Sequence, residues 1–266
     1  MKNQSLLFVL GVMFPLICFL PSCLVSPVYA AANVILSSHT GYMHWGGSYM
    51  VVGEVQNVGD TAAKDVYVSI TYYDAGNAVI DSIDVDVLLD VVLSGRKAPF
   101  KHVLGAEDSA RVDHYAIEVH FTEYPTGKPQ GLEILWHNST VPPVPPGVPK
   151  WLIISGEIKN VGSETATVVF VTSTHYDALG KVIGVSLVGA SPPTLQPNQV
   201  ATFQILEEIT YREALYHTYE LSAESPEYAL IPEFPALIVL SLFIVVTLVA
   251  VGLNRLKHKR SAEMAD

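Results

Sequence analysis

The sequence predicts an all-β protein: two tandem β-sandwich modules set between an N-terminal signal peptide and one C-terminal transmembrane helix. Three observations predict it. The phrase GEVQNVG at Gly53 returns as GEIKNVG at Gly156, 103 positions later. The stretch after the first phrase alternates apolar and polar residues with a period of two, which marks a strand with one buried face. Both ends of the chain are apolar runs with the flanks expected of a signal and an anchor.

The N-terminus comes first. Lys2, an apolar run from Leu6 to Leu20, and Val28-Tyr29-Ala30 before Ala31 give a charged region, a greasy region and a small-residue cleavage site, so residues 1–30 read as a secretory signal. Leu20-Pro21-Ser22-Cys23 is the alternative, a lipoprotein box, for which Pro21 is a poor fit. Cys18 and Cys23 are the only cysteines, and cleavage after Ala30 removes both. A mature chain without thiols excludes disulfides, cysteine nucleophiles and cysteine-ligated zinc.

Gly53–Ile80 aligns with Gly156–Ile183 without a gap, and about half of the positions are identical, including Asn57/Asn160, Gly59/Gly162, Tyr73/Tyr176 and Asp74/Asp177. In each copy a short strand is expected to end in an Asn-Val-Gly turn, read here as needing positive φ. Val66, Val68, Ile70 and Tyr72 then share one strand face, while Tyr67, Ser69, Thr71 and Tyr73 share the other. Asp74 and Asp177 open hairpin turns that the Asp side chain caps and a Gly completes. A further strand contains Phe100 or Phe203, and a last one places Tyr115, Ile117, Val119 and Phe121 inward. The expected organisation is a first module at 31–140, a linker at 141–149, a second module at 150–225 and a juxtamembrane segment at 226–235. The linker assignment rests on VPPVPPGVPK, whose five prolines in ten residues favour a stiff polyproline spacer.

Ala236–Leu253 is 18 residues without a formal charge, about 27 Å as a helix, and reads as a transmembrane helix. Arg255, Lys257, Lys259 and Arg260 follow it and place the tail 254–266 in the cytoplasm, with the ectodomain facing outward from a cell membrane. Ahead of the helix stand Pro232, Glu233, Phe234 and Pro235. This Pro-Glu-Phe-Pro motif, apolar helix and basic end resemble the PEF-CTERM sorting signals of archaeal surface proteins. The resemblance implies processing by an archaeosortase and transfer to another anchor. An ordinary single-pass anchor is the other reading.

The repeated pattern, G-E-[VI]-x-N-x-G, alternating valines, Y-D and a turn before Phe, resembles the FxLYD family of Ig-like extracellular modules. That resemblance implies two tandem Ig-like sandwiches and no catalytic residues.

Between residues 31 and 235 there are 24 Asp/Glu against ten Lys/Arg, a balance of −14 that repels phosphate backbones and argues against nucleic acid. Asp84 and Asp86 share a strand face, with Asp81 and Asp90 near its ends, and are the candidates for calcium. His114, Glu118 and His120 share a face of the last strand of the first module and are the candidates for zinc or copper. Residues two apart on a strand point in parallel without converging, so a solvated face is expected in both places, with no metal or other cofactor. His175 stands where the first copy has Tyr72 and reads as a hydrogen-bonded residue. Tyr42, His44, Trp45 and Tyr49 around Gly46-Gly47 form either a sugar- or protein-docking platform or the covering of the sandwich's open end. Asn138-Ser139-Thr140 is an N-glycosylation sequon. No G-x-S-x-G or H-E-x-x-H motif occurs, and no glycosidase carboxylate pair stands out, so an enzyme is not expected. The expectation is a membrane-anchored binding or adhesion protein whose partner is an extracellular protein or glycan. The alternatives are a calcium- or carbohydrate-binding module and an accessory subunit of a membrane complex.

Overall fold

A computed structural model describes residues 31–232 except Trp45 and Tyr211. The signal segment 1–30, the sorting residues Glu233, Phe234 and Pro235, the apolar span 236–253 and the tail 254–266 lie outside the described residues. Among the described residues no helix is long and apolar enough to cross a membrane.

The first half contains β1 (Val34–Met43), β2 (Tyr49–Asn57), β3 (Ala62–Tyr73), β4 (Val79–Asp86), β5 (Val91–Val92), β6 (Lys97–Leu104), the single-turn α1 (Ala106–Ser109) and β7 (His114–Tyr124). The second half contains β8 (Gln130–Thr140), β9 (Trp151–Asn160), β10 (Phe170–Tyr176), β11 (Val182–Gly189), β12 (Val200–Glu208), β13 (Thr218–Glu224) and β14 (Ala229–Leu230). In the first, a β1-β2-β6 sheet faces a β4-β3-β7 sheet that also holds β5 on β3. The second repeats the plan, with β8-β9-β12 facing β11-β10-β13, and two-residue β14 joins β13 to β8 so that one seven-stranded sheet wraps the core. The arrangement is sandwich-like and almost entirely β.

The period-two pattern places the core. Val66, Val68, Ile70 and Tyr72 of β3 are buried against Val51, Val55 and Phe100. Val171, Ile154, Ile158, Leu195 and Phe203 form the corresponding core of the second half. On β7, Tyr115, Ile117 and Val119 pack inward as the alternation predicts. Phe121 is exposed, because the β3–β7 register shifts between Lys64 and Tyr67, where Asp65 takes a φ of 50°.

Strand pairing sets the division between the halves differently from the expected limits of 31–140, 141–149 and 150–225. Residues 130–140, expected to close the first module, pair as β8 with β9 from Leu132↔Asn160 to Thr140↔Ile153. The proline-rich segment 141–149 therefore lies in the β8–β9 hairpin connection and spans no gap between modules. The second half also extends past 225. Tyr228 is buried, its hydroxyl accepts the Glu164 N–H at 2.8 Å, and its ring leaves no room for a Cβ at Gly131 or Gly162.

The Asn-Val-Gly phrase has a cause other than backbone conformation. None of Asn57, Gly59, Asn160 and Gly162 adopts a positive φ. Asn57 is fully buried and donates through Nδ2 to the carbonyls of Thr61 (2.7 Å) and Val92 (2.9 Å), while its Oδ1 accepts from Gly59 N (3.0 Å). Asn160 repeats each bond, to Glu164 (2.7 Å), Leu195 (2.8 Å) and from Gly162 (2.9 Å). A Cβ on Gly59 would sit 2.2 Å from the Ala31 carbonyl oxygen. Gly53 and Gly156 are glycines because the Phe100 and Phe203 rings cross them. In the hairpins, Asp74 Oδ1 accepts from Gly76 and Ala78, and Asp177 Oδ1 from Leu179 and Lys181, as expected of capped turns. The left-handed residue is Gly180 in the second turn, as expected, but Asn77 in the first, where the expected glycine, Gly76, is not left-handed and the short polar Asn side chain tolerates the conformation instead.

Asn57→Ala or Asn160→Ala strands buried backbone groups and is expected to cost about 3 kcal/mol, read as a lower urea midpoint. Asn→Asp at either position, which keeps the acceptor and loses both donors, is expected to cost nearly as much.

Candidate functional site

The calcium candidates lie on the outer edge of the first module. Asp84 and Asp86 of β4 are exposed, and Asp84 Oδ1 accepts from Ser69 Oγ at 2.6 Å across the β3–β4 pair. The zinc or copper candidates lie on β7, with β3 between the two sets. His114 stacks on Tyr73 (5.0 Å between centroids) and His120 on Tyr67 (4.7 Å), each its register partner. Among the described residues no three His, Cys, Asp or Glu side chains converge as a metal site. Exposed Asn138 sits on β8. Pro232 follows β14 and is half-buried.

The aromatic group ahead of β2 is split. Tyr49 packs edge-on to Tyr72 and Tyr115 in the first core. Tyr42 turns the other way, its ring 3.8 Å beneath the Arg212 guanidinium of the second half, with burial raising its hydroxyl to about 12. His44 lies 3.8 Å from Glu208.

That contact belongs to a junction the sequence did not foreshadow. The outer face of β1-β2-β6 packs on the outer face of β10 and β11, where Val52, Tyr176, Val182 and Val185 are buried together. Ser38 Oγ accepts the Val182 N–H at 2.9 Å and Thr40 Oγ1 donates to the Val182 carbonyl at 2.5 Å. Glu54, 2% exposed, accepts from the Tyr176 hydroxyl at 2.6 Å and pairs with Lys97 at 3.0 Å. Burial, and then the bond to Glu54, hold the Tyr176 hydroxyl protonated far above its ordinary range. On the far side Glu224, 1% exposed, pairs with Lys128 at 2.5 Å and accepts the Asp90 N–H at 2.6 Å. A cleft of about 490 Å³ remains between the halves, lined by Arg96, Lys97, His137, Tyr176, Tyr219 and Glu220 among others.

Beneath the junction the second core ends in polar side chains. At the positions of Ile70, Tyr72 and Leu104 stand Ser173, His175 and Glu207, all buried. Glu207 accepts from the Ser186 hydroxyl and from the Tyr216 hydroxyl (2.8 Å), and lies 3.6 Å from Arg212. His175 Nε2 lies 2.9 Å from Ser173 Oγ, the spacing of a nucleophile and its base. Both side chains are sealed from solvent, and among the described residues His175 Nδ1 has no hydrogen-bond partner, so no described carboxylate orients the ring. Burial is the main cause that lowers the His175 pKa to about 4. What the cluster does is hold Arg212, which bonds Tyr216 and the Ile183 carbonyl and reaches across to Tyr42.

Sequence reading missed a second repeated lock, His39 Nδ1 to Tyr115 Oη (2.8 Å) and His137 Nδ1 to Tyr219 Oη (2.9 Å), bridging the two layers of each half. Its signal was present but shifted: His39 precedes Gly53 by 14 residues and His137 precedes Gly156 by 19. The five extra residues are the longer β8–β9 connection, ten residues against the five between β1 and β2.

No protein-family model matches the sequence, and no curated protein matches it. Among solved structures it is similar to red sea bream transglutaminase (12% identity, TM-score 0.25, 76% of this chain and 31% of that one). It is likewise similar to a calcium-binding mutant of Bacteroides uniformis β-glucuronidase 2 (14%, 0.30, 77% and 26%). An exo-chitosanase from Amycolatopsis orientalis is a third (10%, 0.24, 74% and 26%). The chain spans less than a third of each, and likenesses at these scores carry no argument about its activity.

The unfolded chain binds a proton at His175 below about pH 6.5, whereas the folded chain does so only near pH 4. Stability from this group is therefore full above pH 6.5 and falls as pH drops toward 4, by about 2 kcal/mol between pH 7 and 5. Urea midpoints at those two pH values are expected to differ less in His175→Gln. Lys128→Met leaves the Glu224 carboxylate buried beside apolar surface and is expected to cost about 3 kcal/mol. Replacing both partners, with Glu224→Leu added, is expected to restore most of the loss in the same assay.

Proposed function

We propose that this chain is a non-catalytic surface protein, anchored in a cell membrane, whose two Ig-like modules form one outward-facing head for adhesion, envelope architecture or the binding of an extracellular protein or glycan. The observation that carries the reading is the order of segments: a signal-type N-terminus, a β-rich middle, then 18 uncharged residues followed at once by Arg255, Lys257, Lys259 and Arg260. The packed junction supports it, because modules locked through Glu54, Lys97 and Tyr176 present one fixed surface where a flexible pair would pay for ordering on binding. The FxLYD-like pattern and the Pro-Glu-Phe-Pro segment point the same way, to an archaeal cell surface and an archaeosortase-processed anchor.

Labelling intact cells with a membrane-impermeant amine reagent is expected to modify exposed lysines such as Lys181, and crosslinking on the same cells is expected to capture the partner. Labelling only after lysis would overturn the reading. If Pro232–Pro235 is a sorting signal, intact mass is expected to show loss of residues 236–266 and gain of a new anchor, and Glu233→Ala with Phe234→Ala is expected to block both. Recovery of Met264 in peptides from most mature molecules would instead mark a plain single-pass anchor.

A further inference from the structure

Register equates positions in the two halves that the sequence alignment leaves unmatched. In β1, Ser38 lies opposite Glu54 and Thr40 opposite Val52. In β8, Trp136 lies opposite Glu157 and Asn138 opposite Ser155. Glu54/Glu157 and Val52/Ser155 are equivalent by the 103-residue repeat, so Trp136 stands at the position of Ser38 and Asn138 at that of Thr40.

Those are the two positions through which β1 bonds β11 at the junction. The β1-β2-β6 face is covered by the second module, whereas no module of the described chain lies on the equivalent β8-β9-β12 face. Trp136 is 46% exposed there, and Leu206 of β12 52%. Such a face is suited to pairing with another sheet unless something covers it. Asn138 is exposed on its outer strand β8, opposite Ser155 of the central strand β9 and beside Trp136 along the same strand face. Thr140, the hydroxyl residue of the sequon, is exposed on the same face.

We infer that Asn138 carries an N-linked glycan whose first sugars lie over Trp136 and cover the β8-β9-β12 face, ending the stack at two modules. The inference rests on the outward-facing reading above, because the modification takes place outside the cytoplasm. The co-reactant is a lipid-phosphate-linked oligosaccharide. The Asn138 amide nitrogen forms a bond to the anomeric carbon of the first sugar, the bond from that carbon to the phosphate oxygen breaks, and the amide proton leaves with the released lipid phosphate. The apolar C–H face of the sugar covers the indole and removes its surface from water.

The test uses the full chain purified from the membranes of cells that make it. Mass spectrometry of the peptide containing Asn138 is expected to show most molecules glycosylated, and Thr140→Ala is expected to abolish this with Asn138 still in place. In sedimentation, the glycosylated protein is expected to stay monomeric while Thr140→Ala, or wild type after enzymatic glycan removal, self-associates at least about tenfold more tightly. Trp136→Ser added to Thr140→Ala is expected to return it to monomer, with circular dichroism and melting temperature showing that the fold is kept. Unmodified Asn138 in a chain that intact-cell labelling reaches would overturn the inference alone. Deglycosylated wild type that sediments as the glycosylated form does would overturn the covering role. A chain that surface labelling never reaches would overturn the outward-facing reading, and this inference with it.

Discussion

A buried asparagine amide holds each half of this protein together. Where β2 ends and the β5–β6 connection passes beneath it, peptide groups of three segments lie inside, out of reach of the strand ladders. They require partners. One Asn side chain has two donors and an acceptor oxygen, and Asn57 uses them on Thr61, Val92 and Gly59. Its own backbone is closed by Arg96 and Gly95, as that of Asn160 is by Gln199 and Asn198. The nearby glycines follow from this crowding: Gly59 because backbone passes against it, Gly162 because the Tyr228 ring does, and Gly53 and Gly156 because a Phe ring lies across them. The seven-residue phrase is thus one packing unit, and its recurrence gives both halves the same frame.

On that common frame the halves have diverged where they meet. Glu54 and Glu157 are the same letter of the repeat, but Glu54 is sealed against Tyr176 and Lys97 while Glu157 lies half-buried on the open face. A buried carboxylate is tolerated only when its partners are placed in advance, and the sheets on either side do that placing. The second core gives up apolar volume at its upper end, with Ser173, His175 and Glu207 in place of Ile70, Tyr72 and Leu104. In return it supports Arg212, whose guanidinium reaches the Tyr42 ring of the first half. A hydroxyl and an imidazole at catalytic spacing are here part of a brace, with the ring kept neutral by burial and both side chains sealed from solvent.

Much of this was legible in the sequence, and the division follows from the range of each interaction. Alternation along β3, the capped turns at Asp74 and Asp177, and the repetition of a whole module are local or self-referential, so they can be read without coordinates. The apolar and basic segments at the ends are likewise properties of composition. The roles of the Asn-Val-Gly residues were not legible. A positive φ and a lack of room for Cβ select glycine alike, and only the atoms around Gly59 and Gly162 tell them apart. The proline-rich stretch reads as a spacer by composition, but a hairpin loop between β8 and β9 can have the same composition, and strand pairing assigned it there. The junction was least visible of all. Ser38, Thr40, Val52 and Glu54 are more than 120 residues from Tyr176 and Val182, and the repeat itself implied two equal units. By itself the sequence determined that two β modules of one pattern lie between apolar ends. Tertiary structure alone decided which face of each is covered, because that choice depends on side chains that meet only after both sheets have formed.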